Sequence, residues 1–281
     1  MRIIQKNEPL SSAFYHFKKG KMKHADRLRK KLLEFARVSG ILNLESVALD
    51  QPEESKILVF SPHPDDDVIG CGGTLCKHIL KNDEIRVVYV TDGGLADPSV
   101  QVDVMARMRK KEAIEALACL GGKEDNLSFL DYPDQDLKCN NESIDCFLAI
   151  LEDYAPTAIY VPFFLENHQD HRTTAMIVAE ALNLYSKNIT CYCYEIWSLM
   201  MPNHFIDITS VMGKKINAIN AHKTQIRMMD FGEKIRGLNS YRSMTTSNNT
   251  KYCEAFYKCK KKEYITIANE IKKVDLLKFY N

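Results

Sequence analysis

The stretch KILVFSPHPDDDVIGCGGTLCKHILKN (56–82) decides how the rest of the chain is read. KILVF (56–60) is a short apolar run, the pattern of a strand buried on both faces of a parallel sheet. VIGCGGTLCKHILKN reads as a helix opened by small residues. Between the two, SPHPDDD (61–67) sets a histidine between prolines and then three consecutive aspartates, whose charges repel. A cation, a helix N-terminus, a nucleotide phosphate or solvent alone could hold such a cluster. Phosphate fits poorly, because glycine loops that cradle phosphate follow their strand directly. Here Ser-Pro-His-Pro-Asp-Asp-Asp intervenes, and its carboxylates would repel a pyrophosphate.

The same strand-then-helix alternation continues outward. IRVVYV (85–90) is a second strand, followed by the turn TDGG. VDVMARMRKKEAIEALACLGG (102–122) is a helix ending in a glycine pair suited to a C-cap. LSFL (127–130), AIYVP (158–162) and TCYCYEIW (190–197) read as further strands, with ESIDCFLAILEDY (142–154) and HRTTAMIVAEALNLYS (171–186) as helices between them. This alternation predicts an α/β fold, a three-layer α/β/α sandwich around a mostly parallel, Rossmann-like sheet. Ligands of such sheets bind beyond the carboxyl ends of the strands. The segments after 57–60, 85–90 and 158–162 should therefore meet at one rim. From about 205 a helix over VMGKKINAINAHKTQIRMMDF (211–231) is expected among polar loops.

Composition narrows the function. With 281 residues, 45% hydrophobic and 27% charged, the chain is that of a globular protein of one large or two modest domains. A formal net charge of +1 gives no reason to expect a nucleic-acid partner. No apolar run is long enough to cross a bilayer, and MRIIQKNEPLSS lacks the apolar core of a secretory signal. The nine cysteines are scattered and often in apolar surroundings, which suits reduced core thiols and a cytoplasmic location. Residues 1–50 stand apart as a basic, roughly amphipathic helical extension, closed by the polar connector DQPEES (50–55); the main domain is expected over 51–281. The extension reads first as a solvated helix packed by one face. Peripheral contact with an anionic lipid surface or an acidic partner is the second reading.

His63 and Asp66 are three residues apart at a strand-to-helix junction, so both side chains can face one point. Imidazole nitrogen and carboxylate oxygen suit zinc or a similar divalent ion, which would neutralise the acidic cluster. At least one more ligand is needed from the same rim. The segment YVPFFLENHQDHR (160–172) brings His168, Asp170 and His171 there, entering a helix.

PHPDDD followed by a small-residue helix, and then HQDHR, resembles the PIG-L/LmbE-like family of metal-dependent N-acetylglucosaminyl de-N-acetylases. The resemblance covers about 56–260 and takes in the weaker pieces RKKE (109–112), YEIW (194–197), AHKTQ (221–225) and YCEAF (252–256). Members act on glucosaminyl-phosphatidylinositol, mycothiol and bacillithiol precursors and chitooligosaccharides. Two positions depart from the family pattern: Asp67 stands where glutamate is usual, and Gln169 where proline is usual.

The resemblance implies one divalent metal, zinc ahead of ferrous iron, held by His63, Asp66 and His171. It implies Asp65 as general base. His168, protonated and held so by Asp170, would stabilise the oxyanion. Arg109 matches an arginine that contacts substrate in relatives, and His222 would line the pocket. Asp92, after the second strand, either bonds a sugar hydroxyl or forms its own turn. His78 and His204 read as structural. The expected substrate is a small amino-sugar conjugate. The rivals are an amidase for another sugar or thiol conjugate, and a silent sugar-binding scaffold.

Overall fold

The computed structural model describes residues 47–244, 246 and 250–274. Contacts divide the chain into units 1–44 and 45–281, and every described residue belongs to the second. The expected basic helix therefore lies outside the described residues, save for its last four positions. Val47–Leu49 there form a first strand, β1, which pairs with β7 (His204–Asp207). The sheet thus begins upstream of the connector at 50–55. A three-residue strand has too little length to show a period, so sequence could not announce it.

The remaining strands are β2 (Lys56–Ser61), β3 (Glu84–Thr91), β4 (Leu127–Tyr132), β5 (Ala158–Pro162), β6 (Thr190–Tyr194) and β8 (Cys253–Lys260). They form one sheet in the order β1-β7-β8-β6-β5-β2-β3-β4. Every pairing is parallel except those of β8, which runs against both β6 and β7. The helices are α1 (Asp66–Leu80), α2 (Val102–Leu120), α3 (Asn141–Tyr154), α4 (Gln169–Leu184), α5 (Met212–Ala221), the single turn α6 (Lys223–Ile226), α7 (Phe231–Ser243) and α8 (Lys261–Val274). α1, α2, α5 and α7 pack together in one layer, and α3, α4 and α8 in the other. The expected three-layer α/β/α sandwich is the observed fold.

β2 shows why its apolar run is continuous. Ile57, Leu58, Val59 and Phe60 are all inaccessible to solvent. Ile57 and Val59 join a core with Val68 and Leu75 of α1. Phe60, on the other face, stacks on Phe147 of α3 at 4.6 Å. The chain runs from β2 outward through β3 and β4, then returns to β5 on the other side of β2. The sheet order therefore reverses between β2 and β5, and ligands bind at such switch points.

α1 is broken one turn into its length. Cys71 leaves helical geometry (φ −139°, ψ 19°), and the amides of Gly73 and Thr74 donate to the Glu254 carboxylate of β8, both at 2.7 Å. Glu254 also accepts from Thr74 Oγ1 (2.6 Å) and from the buried Lys215 Nζ of α5 (2.6 Å). It thus acts as an N-cap supplied from another strand, starting the helix a second time. The glycines serve close packing: a Cβ on Gly70 would fall 2.3 Å from the Tyr194 ring, and one on Gly73 2.6 Å from Ile208.

The expected helix over 211–231 is three pieces. A 3₁₀ turn at Thr209–Val211 precedes α5, the chain bends at His222, and α6 follows. His222 takes φ −77°, ψ 67°, outside the helical range.

Candidate active site

β2 delivers His63 at the rim and α1 starts three residues later, so Asp66 points back at the imidazole. The Asp66 Oδ2 accepts from the His63 amide at 2.9 Å, which locks the loop. β5 delivers the second half, with His168 as N-cap of α4 and His171 in its first turn. His63 Nδ1, Asp66 Oδ2 and His171 Nε2 form a triangle with sides of 3.1, 3.1 and 3.2 Å. Donors about 2.1 Å from a tetrahedral ion stand roughly 3.4 Å apart, so the triangle fits a zinc-sized cation. All three residues are buried.

The surroundings of His63 support that fit. Its Nε2 faces Asp170 Oδ2 at 3.2 Å and Asp134 Oδ1 at 3.3 Å. Two carboxylate acceptors at Nε2 keep the proton there and turn the Nδ1 lone pair toward Asp66 and His171. Burial alone would lower the His63 pKa, but hydrogen bonds to Asp134, Asp170 and Asp66 raise it well above the usual value. The pocket is thus built for positive charge. Ligand atoms of His63, His168 and His171 lie within 4.8 Å of one another, as do those of His63, Asp134, His168 and Asp170.

Asp65 stands beside the triangle in a backbone conformation (φ 157°, ψ −24°) that L residues rarely adopt. Arg109 of α2 holds it there, donating from Nη2 to Asp65 Oδ1 (2.8 Å) and the Pro64 carbonyl (3.0 Å), and from Nη1 to the Gly93 carbonyl (3.2 Å). Arg109 is itself buried. Beside the substrate contact expected of it, the guanidinium thus holds the loop that carries Asp65. Burial raises the Asp65 carboxyl to about 6 although Arg109 pulls it down. Asp66 goes the other way; burial pushes it up, but His171 and His63 hold it well below the usual range.

Other expected residues fall differently. The Asp170 carboxylate does not hold His168. Its Oδ2 accepts from His63 and from the Gln135 amide (2.8 Å), while only its backbone amide reaches His168 Nδ1 (3.2 Å). Burial, with His63 and His171 adding to it, pushes His168 down to about 4, so its neutral form prevails and the expected imidazolium is not favoured. Asp92 makes its own turn, accepting from the Gly94 amide at 2.8 Å and from Asp134 N at 3.3 Å. His222 is buried with both ring nitrogens unpartnered, in a recess shared with Asp65, Ile219 and Phe231, and burial takes it to about 3. Asp67 packs behind the loop, accepting from Tyr89 Oη at 3.0 Å. His78 bonds Asp83 and Tyr160, a structural part as expected, and His204 packs against Tyr192.

Two carboxylates were not anticipated. Asp134 follows β4 in YPDQD, which reads as a polar turn. Glu166 lies inside YVPFFLENHQDHR, fully buried, with Oε2 3.7 Å from His171 Nδ1. An acid two residues before the HQDHR histidines was the available signal.

The order of the motifs, the switch-point location and the donor triangle accord with one family. Residues 58–182 match the model of PIG-L, GlcNAc-PI de-N-acetylase. That span, which carries both halves of the donor triangle, is what the chain shares with the PIG-L family. It is 28% identical over 209 residues to the diacetylchitobiose deacetylase of Thermococcus kodakarensis, covering 66% of this chain and 77% of that one. It is 26% identical over 194 residues to a probable N-acetyl-α-D-glucosaminyl L-malate deacetylase 2 of Bacillus cereus, covering 63% and 86%. Among solved structures, N,N′-diacetylchitobiose deacetylase from Pyrococcus horikoshii superposes with a TM-score of 0.69 at 24% identity, over 93% of this chain and 97% of that one. The fold is also that of GalB, a 4-carboxy-2-hydroxymuconate hydratase from Pseudomonas putida, with a TM-score of 0.61 at 19% identity over 72% and 95%. At these identities the superpositions speak for the fold alone. Among the described residues no helix is long and apolar enough to cross a membrane. All nine cysteines are free.

Proposed function

We propose that the chain is a metal-dependent hydrolase that removes the N-acetyl group from an N-acetylglucosamine-type conjugate. The observation that carries this reading is the triangle of His63 Nδ1, Asp66 Oδ2 and His171 Nε2 with Asp65 beside it. A divalent ion on those three donors, zinc by their chemistry, supplies a Lewis acid that makes water acidic enough to be deprotonated near neutrality. Asp65, raised to about 6 and held by Arg109, takes that proton. Asp134 and Asp170 keep His63 oriented throughout. His168 lies at the edge of the centre, where its neutral ring can hydrogen-bond the acetamide oxygen as charge develops. The amine leaves with the proton that Asp65 took from water. Names of the relatives support an acetylated amino sugar as substrate. The domain reading is a main domain over 51–281, to whose sheet β1 (Val47–Leu49) adds a strand from the preceding segment. Reduced cysteines suit a cytoplasmic setting.

The test is twofold. Metal analysis should find close to one divalent ion per chain, lost in His63→Ala and His171→Ala, and undiminished metal in both would sink the centre. Acetate release, screened over N-acetylglucosamine, its glycosides and chitooligosaccharides, should find turnover that needs the ion. A loaded centre silent on all of them would point to another amide, or to a different chemistry such as the hydratase sharing this fold.

A further inference from the structure

The chain leaves β6 at the same rim as the loops after β2 and β5, and β6 pairs directly with β5. Residues 195–201, EIWSLMM, then form a surface segment whose backbone is held from inside. Glu166 accepts from the amides of Ile196 (2.7 Å), Trp197 (3.0 Å) and Ser198 (3.2 Å). Glu195 accepts from the Met200 amide (3.0 Å) and pairs with Arg242 of α7, which also donates to the Met200 carbonyl (3.0 Å). Surface loops ordinarily bond water and move. Here charged, buried acceptors satisfy the amides, and such bonds are strong. The fixed backbone nevertheless turns large apolar side chains outward: Trp197 is 51% exposed, Leu199 69% and Met201 60%. A rigid apolar display of this kind marks a contact site.

Two contacts tie the display to the centre. The Glu166 carboxylate that holds Trp197 and Ser198 lies 3.7 Å from His171 Nδ1. The Trp197 ring packs edge-on against Phe231 at 5.8 Å, and Phe231 lines the recess that holds Asp65 and His222. The shelf and the reacting point are therefore set at a fixed separation by shared side chains. A face made for a second copy of the chain needs no such coupling to His171. A polar centre with an apolar shelf beside it fits an amphiphilic molecule. We propose that Trp197, Leu199 and Met201 form the subsite for an alkyl or aryl group carried on the N-acetyl sugar. The proposal rests on the deacetylase reading above.

Trp197 is the single tryptophan of the chain, so its emission reads the shelf directly. The zinc-loaded full chain is assayed for acetate release from methyl and octyl N-acetyl-β-glucosaminide. The emission is followed with the same two glycosides on the Asp65→Asn protein. The octyl glycoside should shift the emission to the blue and saturate, while the methyl glycoside leaves it in place. Its kcat/KM should exceed that of the methyl glycoside by roughly tenfold. Leu199→Ala and Met201→Ala, both at exposed positions, should lower that ratio about threefold or more, mainly by raising KM for the octyl glycoside. Equal kcat/KM with unmoved emission would overturn the subsite and leave the deacetylase reading intact. No acetate from either glycoside would overturn that reading and the subsite with it. An emission already blue in the free protein, moving red on dilution as the sedimenting mass halves, would assign the face to a second copy and overturn the subsite.

Discussion

Asp65 and Asp66 are adjacent in sequence and opposite in electrostatic circumstance. Asp66 faces two imidazoles and stays ionised, while Asp65 faces a buried wall and one guanidinium and is raised to about 6. A ligand and a base need those opposite tunings. Asp65→Asn should keep its metal and lose turnover by roughly 10²–10⁴-fold, as expected for removal of a general base. Arg109→Met, which frees Asp65 from its three-point anchor, should lower kcat more than it raises KM; the reverse would make substrate contact the larger of its roles. His63, Asp66 and His171 could be found from residue type and spacing because each half of the centre is local. Asp134 could not be, since its approach to His63 depends on β4 lying two strands from β2, which no local pattern declares. Arg109 could be singled out, but its bonds to Asp65 and the Pro64 and Gly93 carbonyls join segments that no local pattern brings together. His204 supplies a pH prediction of its own. Burial, with Lys258 adding to it, holds its pKa down to about 4, against about 6.5 in an unfolded chain. Its neutral form therefore stabilises the fold fully above about pH 6.5, and that contribution is lost as pH falls toward 4. Denaturant midpoints measured from pH 7 to 4 should fall less steeply in His204→Gln than in the parent.

At the scale of elements, the strands that sequence revealed are those buried on both faces, where apolar runs are unbroken. β7 (HFID) and β8 (CEAFYKCK) interleave charge with apolar residues and stand late in the chain, so they read as loops. The single helix expected over 211–231 broke at His222 because the turn that buries its ring cannot be helical. The break in α1 was equally hidden, since its cause, Glu254, lies 180 positions away from Thr74. Glu254→Gln leaves the buried Lys215 without its counter-charge, and removing one partner of such a pair costs about 3–5 kcal/mol. The double substitution Glu254→Gln with Lys215→Met removes both charges and should recover most of that loss in chemical denaturation. An additive double mutant would show that the two groups do not act as a pair.

Across the whole molecule, the candidate centre joins two loops from residues about a hundred positions apart, at the place where the sheet order reverses. A ligand that binds only the folded arrangement stabilises it by mass action. Removing the ion with a chelator should therefore lower the melting temperature, and adding zinc back should restore it. An unchanged melting temperature would mean that the donors do not share an ion.

The capping of α1 by Glu254 also bears on how the protein is made. Translation delivers His63, Asp65, Asp66, His168 and His171 well before Glu254, so a nascent chain can carry every candidate ligand and the base and still lack the acceptor that starts α1 a second time. The matched segment 58–182 is in the same position. A chain without β8 therefore holds every candidate ligand while the Gly73 and Thr74 amides still lack the acceptor that β8 brings.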